Sequence, residues 1–339
     1  MKMQVSKRLS QQAHMRGVLG IDTSNYTTSL CLLDESGQIA FEQRQVLEVP
    51  LGEQGLMQSA ALFQHVSNLP ELFSSARRKL GSYQILGVGV SSRPRKVTGS
   101  YMPVFKAGYL AAQSVAFGAH VPLIETSHQS GHLMAGIVTA KMTLSEGETF
   151  LALHLSGGTT DVLSVKRVQS DFEVEVLTSS RDLHIGQYVD RIGVKLGLSF
   201  PAGKQLEQLA KEWGDQDLPL IPSAVHNGSP SFSGPLSAAE RLLQKGVPRA
   251  AIAASVQRSI ATTLEKMLRH AFATTGLRRA LLVGGVASNQ YISDRLKKRL
   301  GISEEAHSSL YFCDPHYASD NAFGVAHIAL STLQHSSLK

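Results

Sequence analysis

Apolar residues along this chain come in short runs that end in small polar or glycine-rich turns, alternating with longer stretches of helical spacing. The first run, Val18-Leu19-Gly20-Ile21, stops at Asp22-Thr23-Ser24, and a second, rich in apolar and β-branched residues, covers Thr27 to Leu33. Asp34-Glu35-Ser36-Gly37 has the composition of a turn, and Gln38 to Gln45 then predicts a third strand, so the chain opens as a meander. The pattern returns at Phe150-Leu151-Ala152-Leu153-His154-Leu155, which runs into Ser156-Gly157-Gly158-Thr159-Thr160-Asp161 and then Val162-Leu163-Ser164-Val165. Placing Ser24 on Ser156 also places Thr27-Thr28 on Thr159-Thr160, which marks a candidate internal repeat of one supersecondary unit.

Between these hairpins the pattern predicts a helix over 54–79, a buried strand at Ile85 to Val90, a helix over Val104 to Phe117 and a strand at Val121 to Ile124. A helix follows with Ser127 placed to cap it, although Gly131 inside it costs about 1 kcal/mol relative to alanine. In the second half, helices are expected at 185–196, 205–213, 238–244 and 249–275. A strand at Leu281 to Val283 ends on Gly284-Gly285, and the last helices cover 289–299 and 321–333. Strand and helix alternate, so the class is α/β. The stretch from Leu218 to Pro235, punctuated by Pro219, Pro222, Pro230 and Pro235, is expected to be a mobile loop.

With 339 residues the chain suits two domains of roughly 150 to 170 residues. An apolar fraction of 42% and a charged fraction of 18% describe a globular protein and exclude a disordered or fibrous one. No stretch reaches the roughly 18 consecutive apolar residues of a membrane span. Met1 to Gly17 is polar and basic without an apolar centre, so it reads as neither signal peptide nor anchor, and a cytoplasmic protein is expected. The 33 basic and 27 acidic residues give a net charge of +6, which permits a polyanionic partner without requiring one. Arg93-Pro94-Arg95-Lys96 is the best local candidate for phosphate contact, the alternative being a solvated basic loop. Two cysteines are too few for a disulfide framework. Cys31 lies in an apolar run and reads as core. Cys313 reads as a buried free thiol, with a place near Asp320 as the other option.

Chemistry concentrates in two kinds of feature. His128 and His132, in Glu-Thr-Ser-His-Gln-Ser-Gly-His, lie four apart, so on a helix both imidazoles can face one ion while a distant carboxylate, Asp320 in Ser-Asp-Asn, completes the set. No glutamate stands next to the first histidine as the base of a His-Glu-x-x-His peptidase would, which argues against a metallopeptidase. Glycine-rich turns follow apolar strands at Ser156-Gly157-Gly158-Thr159-Thr160 and at Gly284-Gly285-Val286-Ala287-Ser288-Asn289. Such turns let backbone N–H groups approach phosphate, yet neither is a Walker loop or a dinucleotide fingerprint, and each alone also reads as a tight strand-to-helix turn.

Together, the two hairpins and the second glycine turn resemble the actin, sugar-kinase and heat-shock ATPase superfamily, in which two similar domains face each other across a nucleotide cleft. The resemblance narrows with His128-Gln129-Ser130-Gly131-His132, Leu155-Ser156-Gly157-Gly158-Thr159-Thr160, Asp190-Arg191, Phe200-Pro201-Ala202-Gly203, Phe232-Ser233-Gly234, Gly284-Gly285-Val286-Ala287-Ser288-Asn289 and Ser319-Asp320-Asn321. In this order and spacing they are similar to the tRNA threonylcarbamoyladenosine-synthesising transferases, the TsaD type once described as glycoprotein endopeptidases. The match covers about residues 17 to 330.

The resemblance implies a basic extension over residues 1–16, an actin-like domain over 17–148 carrying the histidine pair, and a second over 149–339 carrying the nucleotide loops and Asp320. It implies one iron or zinc ion on His128, His132 and Asp320. ATP or threonylcarbamoyl-AMP would be held by His154, Leu155, Ser156, Gly157, Gly158, Asp190, Gly203, Glu207 and Asn289, with Glu207 standing where the family places an aspartate. Asp22 and Ser24 become the catalytic candidates. The implied reaction moves a threonylcarbamoyl group from threonylcarbamoyl-AMP to N6 of the tRNA adenosine adjacent to the anticodon, with tRNA, a smaller paralogue of the same fold and an ATPase as partners. Two departures keep a second reading open. Asn25-Tyr26-Thr27 replaces the family's Cys-Asp-Glu, and Ser92-Arg93-Pro94-Arg95 replaces its Gly-Pro-Gly turn. The cleft therefore loses about two negative charges and gains arginines, which favours an anion. A divergent paralogue that transfers a carbamoyl-type group to another acceptor, or a nucleotide-binding partner without catalysis, fits the same residues.

Overall fold

A computed structural model describes residues 15–50, 53, 55–214, 216–300 and 309–336. Its first sheet is built from β1 (Met15–Asp22), β2 (Thr27–Asp34), β3 (Ile39–Val46), β4 (Tyr83–Arg93) and β5 (Leu123–Ser127), in the spatial order β3-β2-β1-β4-β5. The second uses β6 (Thr149–Leu155), β7 (Thr160–Val168), β8 (Asp171–Ser179), β11 (Arg279–Val283) and β12 (Ser309–Phe312), in the order β12-β11-β6-β7-β8. Each sheet begins as an antiparallel meander and is extended by two parallel strands on the other side of its first strand. The two sheets are thus the same topology used twice. The register agrees in detail: Asp22 pairs with Ser29 and His154 pairs with Asp161, the same offset that places Ser24 on Ser156.

Nine helices of at least nine residues surround these sheets among the described residues. Helices α1 (Gln58–Leu80) and α2 (Phe105–Ala119) cover the outer face of the first sheet, where Leu19 and Ile21 meet Leu69, Leu72 and Ala112. Helices α4 (Ile185–Lys195), α5 (Gly203–Lys211), α6 (Ser233–Gln244), α7 (Arg249–Thr275) and α8 (Gln290–Leu300) gather on the outer side of the second, with Leu151, Leu153 and Leu155 against Ile192, Ile260 and Leu264. The inner faces share a layer made of α3 (His128–Thr139) and the last helix, α10 (Phe323–Ser336), which follows the short α9 (Pro315–Ala318). Val18 packs on α10, while Phe150 and Ala152 pack with Leu133 and Ile137 of α3. The central strands β1 and β6 are buried on both faces because helices lie on both sides.

The predicted elements hold to within a few residues, and helix 249–275 to the residue. Four strands lay outside the prediction: β8, β12 and the short hairpin of β9 (Ala224–His226) and β10 (Ser229–Ser231). That hairpin sits in the proline-rich stretch expected to be mobile. Its C-terminal part is anchored by Asp182, whose carboxylate accepts from Phe232 N–H at 2.8 Å and from the hydroxyls of Ser231 and Ser233. The extension expected over 1–16 lies outside the described residues up to position 14, and Met15 and Arg16 already belong to β1. Cys31 and Cys313 are both buried, and Cys313 Sγ accepts from the Thr139 hydroxyl at 3.6 Å, at the far end of α3 from the histidines.

Candidate functional site

The site forms where α3 begins. Ser127 caps the helix by accepting from Ser130 N–H at 3.0 Å, and the side chains of His128 and His132 then stack on one face. The helix-breaking residue Gly131 has a packing reason. A Cβ on Gly324 of α10 would overlap the Gly131 carbonyl oxygen, and one on Gly131 would press on Val325, so the two glycines let α3 and α10 cross in backbone contact. This crossing carries Asp320, in the turn just before α10, onto the histidines. Asn321 holds that turn by donating to the carbonyls of Tyr317 and Ser319, each at 2.8 Å, and accepting from Phe323 N–H at 3.0 Å.

The three ligand atoms form a nearly regular triangle. His128 Nε2 and His132 Nε2 are 3.1 Å apart, and Asp320 Oδ1 lies 3.4 and 3.3 Å from them. These edges match the ~3.3 Å between neighbouring donors of a tetrahedral ion with bonds near 2.0–2.1 Å. The set demands positive charge. Burial opposes charge on His128, but Asp22 and Asp320 outweigh it and raise its pKa, whereas burial and His128 lower that of His132. Asp320 is likewise opposed by burial yet is held far below the usual carboxylate range by its bonds to the two histidines. Two imidazoles and a carboxylate aimed at one point fit a borderline divalent cation of the zinc or iron type.

Asp22, expected as a catalytic candidate, stands behind this cluster. Its Oδ2 accepts from His128 Nδ1 at 3.0 Å and from the Ser91 hydroxyl at 2.7 Å. Its Oδ1 accepts from Ser24 N–H at 2.8 Å and from the Ser24 hydroxyl. Burial pushes the carboxyl up, but the charge and hydrogen bond of His128 and that of Ser24 bring it below its ordinary value. A carboxylate with both oxygens filled orients His128, as the partners of metal-binding histidines do. Ser24 is fully buried and spends its hydroxyl on Asp22. Ser91, on β4, was invisible to motif reasoning because a serine in a strand carries no signal of its own.

The nucleotide candidates divide into groups. Ser156, Gly157 and Gly158 form the open turn between β6 and β7, in which Ser156 N–H donates to the Thr159 carbonyl at 2.8 Å. Leu155 is core. His154 shares the strand phase of Phe150 and Ala152, so its ring faces α3, 5.0 Å from that of His132, with both nitrogens buried and unpartnered. Burial and the neighbouring imidazoles hold its pKa well below the ordinary histidine value. Asp190 Oδ1 accepts from Ala202 N–H at 2.8 Å, which ties α4 to the start of α5 at Gly203, and burial raises its pKa. Glu207 accepts from Gln290 N–H at 3.2 Å, and Asn289 caps α8 by accepting from Ile292 N–H at 3.0 Å. Asp190 and Gly203 thus belong together, as do Glu207 and Asn289, along the helical side of the second sheet.

Gly157 and Gly158 are informative because packing does not require them. Neither has a left-handed φ, and a Cβ built on either meets nothing within 4 Å. What glycine provides there is bare backbone under open space, as close approach of a ligand needs.

Comparison with known proteins agrees with this architecture. Residues 43–327 match the family model TsaD, tRNA N6-adenosine threonylcarbamoyltransferase. The chain belongs to this family. A tRNA N6-adenosine threonylcarbamoyltransferase of Dichelobacter nodosus is 32% identical over 290 residues, 83% of this chain and 80% of that one. One from Thermus thermophilus is 30% identical over 289 residues, covering 83% and 84%. Among solved structures, the activator of 2-hydroxyisocaproyl-CoA dehydratase from Clostridium difficile with bound ADPNP superposes at a TM-score of 0.53, with 14% identity over 95% of this chain and 97% of that one. A glucokinase of the ROK family from Streptomyces griseus, in complex with glucose and AMPPNP, gives 0.50 at 13% identity, covering 92% and 98%. At such identities these two show the fold alone. It is the duplicated actin and sugar-kinase arrangement, and the enzyme is a transferase by family.

Proposed function

We propose that this transferase moves a threonylcarbamoyl group from threonylcarbamoyl-AMP to N6 of the tRNA adenosine adjacent to the anticodon, in the cytoplasm, with one divalent ion on His128, His132 and Asp320. The observation that carries the reading is the ligand triangle itself, built by a glycine-to-glycine helix crossing and braced by Asp22, in a chain of this family. In the reaction, N6 of adenosine attacks the carbamoyl carbonyl carbon, the bond to the phosphate oxygen breaks, and AMP leaves as an anion while N6 gives up a proton. The bound ion supplies Lewis-acid polarisation of the donor. The open Gly157-Gly158 end of the turn gives the departing phosphate, where negative charge grows, close approach to bare backbone. Asp190, Gly203, Glu207 and Asn289 line the side on which the nucleoside is held. Asp22 and Ser24 act by fixing His128 and so the ion.

A second reading has its own support. The tip of the first hairpin is neutral and aromatic, with Tyr26 packed edge-on against Phe200 at 5.3 Å, so the acceptor side differs from the acidic motif of the family. This favours a paralogue using another acceptor. One assay separates the two: transfer of labelled threonine from threonylcarbamoyl-AMP to unmodified tRNA. The first reading predicts labelled tRNA from the wild type and none from His132→Ala. Wild-type protein that binds ion and nucleotide yet leaves tRNA unlabelled contradicts it and supports the second.

A further inference from the structure

We propose that Arg95 is a phosphate-binding arm, extended from the first sheet over the glycine turn of the second, that makes this protein prefer phosphorylated adenosine ligands over adenosine. The inference rests on the nucleotide reading of that turn. β4 ends at Arg93, and Pro94 to Lys96 beyond it are firmly rooted. Arg95 N–H donates to the Ser100 hydroxyl at 3.0 Å, and Gln129 N–H, from the histidine helix, donates to the Pro94 carbonyl at 3.0 Å. Lys96 pairs with Asp171, which also accepts from the Thr126 hydroxyl at 2.8 Å. The root of the arm is therefore tied to the same helix as the ion ligands.

From this root the guanidinium crosses to the second hairpin. Arg95 Nη2 lies 3.3 Å from Asp161 Oδ2 and 3.5 Å from the Thr159 hydroxyl, next to Gly158. Asp161 is buried, and its Oδ1 accepts from the Ser179 hydroxyl at 2.7 Å, whereas its Oδ2 receives no directed hydrogen bond. Charge attraction thus aims the arginine without consuming it. Among the described residues all its side-chain contacts run through Nη2, and the side chain is 34% exposed. The remaining N–H groups are available beside the bare turn at Gly157 and Gly158. A guanidinium with free donors in a fixed fork, beside a turn whose glycines leave its backbone bare, matches a phosphate. Asp161 is then a positioning residue.

The test is calorimetric binding of AMP and adenosine to the full chain, as wild type, Arg95→Gln and Arg95→Lys. Loss of one charge-assisted contact should weaken AMP roughly 10- to 100-fold in Arg95→Gln. Adenosine should bind both proteins alike, Arg95→Lys should fall between them, and zinc binding should be unchanged. Equal AMP affinity in wild type and Arg95→Gln overturns the arm, and so does an equal loss of AMP and adenosine, which marks a structural role. A wild type that binds neither ligand breaks the nucleotide reading itself and removes the arm with it.

Discussion

Asp22 and His154 occupy the same rung of two copies of one hairpin, on the faces that look at α3 from either side. Asp22 is saturated: it braces His128 and is itself held by Ser24 and Ser91. His154 sits beside His132 with neither ring nitrogen bonded. The tips beyond them differ in the opposite sense. The first is closed, with Ser24 folded onto Asp22 and Tyr26 packed on Phe200, and the second is an open glycine turn. The repeated topology places two equivalent positions around one helix, and the two halves use them differently. On the proposed reading, one hairpin braces the ion-binding His128 from behind, and the other leaves room for a ligand in front.

The largest effect is expected at the crossing that brings Asp320 between the hairpins. Gly324→Ala places a methyl against the Gly131 carbonyl and should destabilise the protein by about 3 kcal/mol, read by urea unfolding. A change below 0.5 kcal/mol, taken as roughly the noise of surface substitutions, would show the contact is not tight. Next comes the brace. Asp22→Asn keeps the shape and removes the charge behind His128, so zinc affinity should fall by about 10- to 100-fold in a chelator competition. Unchanged affinity would mean that the first hairpin does not serve the ion. Gly157→Ala probes the open tip: AMP should bind about 10-fold more weakly, a loss of ~1.4 kcal/mol, with no loss of stability because nothing lies near the new methyl. Loss of stability instead would make the glycine structural. The smallest effect belongs to His154→Leu. Replacing an unbonded buried imidazole with an apolar group should alter stability by no more than about 1 kcal/mol and leave zinc affinity intact. A tenfold drop in zinc affinity would place His154 in the ion site and remove the asymmetry.

Much of this was legible in the chain. Alternating runs and their turns located the two meanders, and the offset from Ser24 to Ser156 is the offset of the ladders themselves. The histidine pair was visible as an i, i+4 pattern, and its cap as Ser127. Local pattern could not show why Gly131 interrupts that helix, since the reason is Gly324, nearly 200 residues away. Nor could it separate the roles of neighbouring residues. Leu155 and His154 adjoin the open turn in sequence, but strand alternation turns one into the core and the other toward α3. Asp182, Ser91 and Asp161 were missed for a related reason: single polar residues gain meaning from partners brought in by the fold. In the proline-rich stretch the β9–β10 hairpin was hidden because proline content reads as loop, and the carboxylate that holds the segment after it comes from outside the stretch.

The central claim is that His128, His132 and Asp320 form one cation site. Titration of the metal-depleted full chain with zinc, beside Asp320→Ala of matched thermal stability, tests it most directly. One tightly bound zinc per wild-type chain is expected, with loss of that binding in the variant. A wild type that takes up no zinc or iron, or a variant that binds as the wild type does, would contradict it.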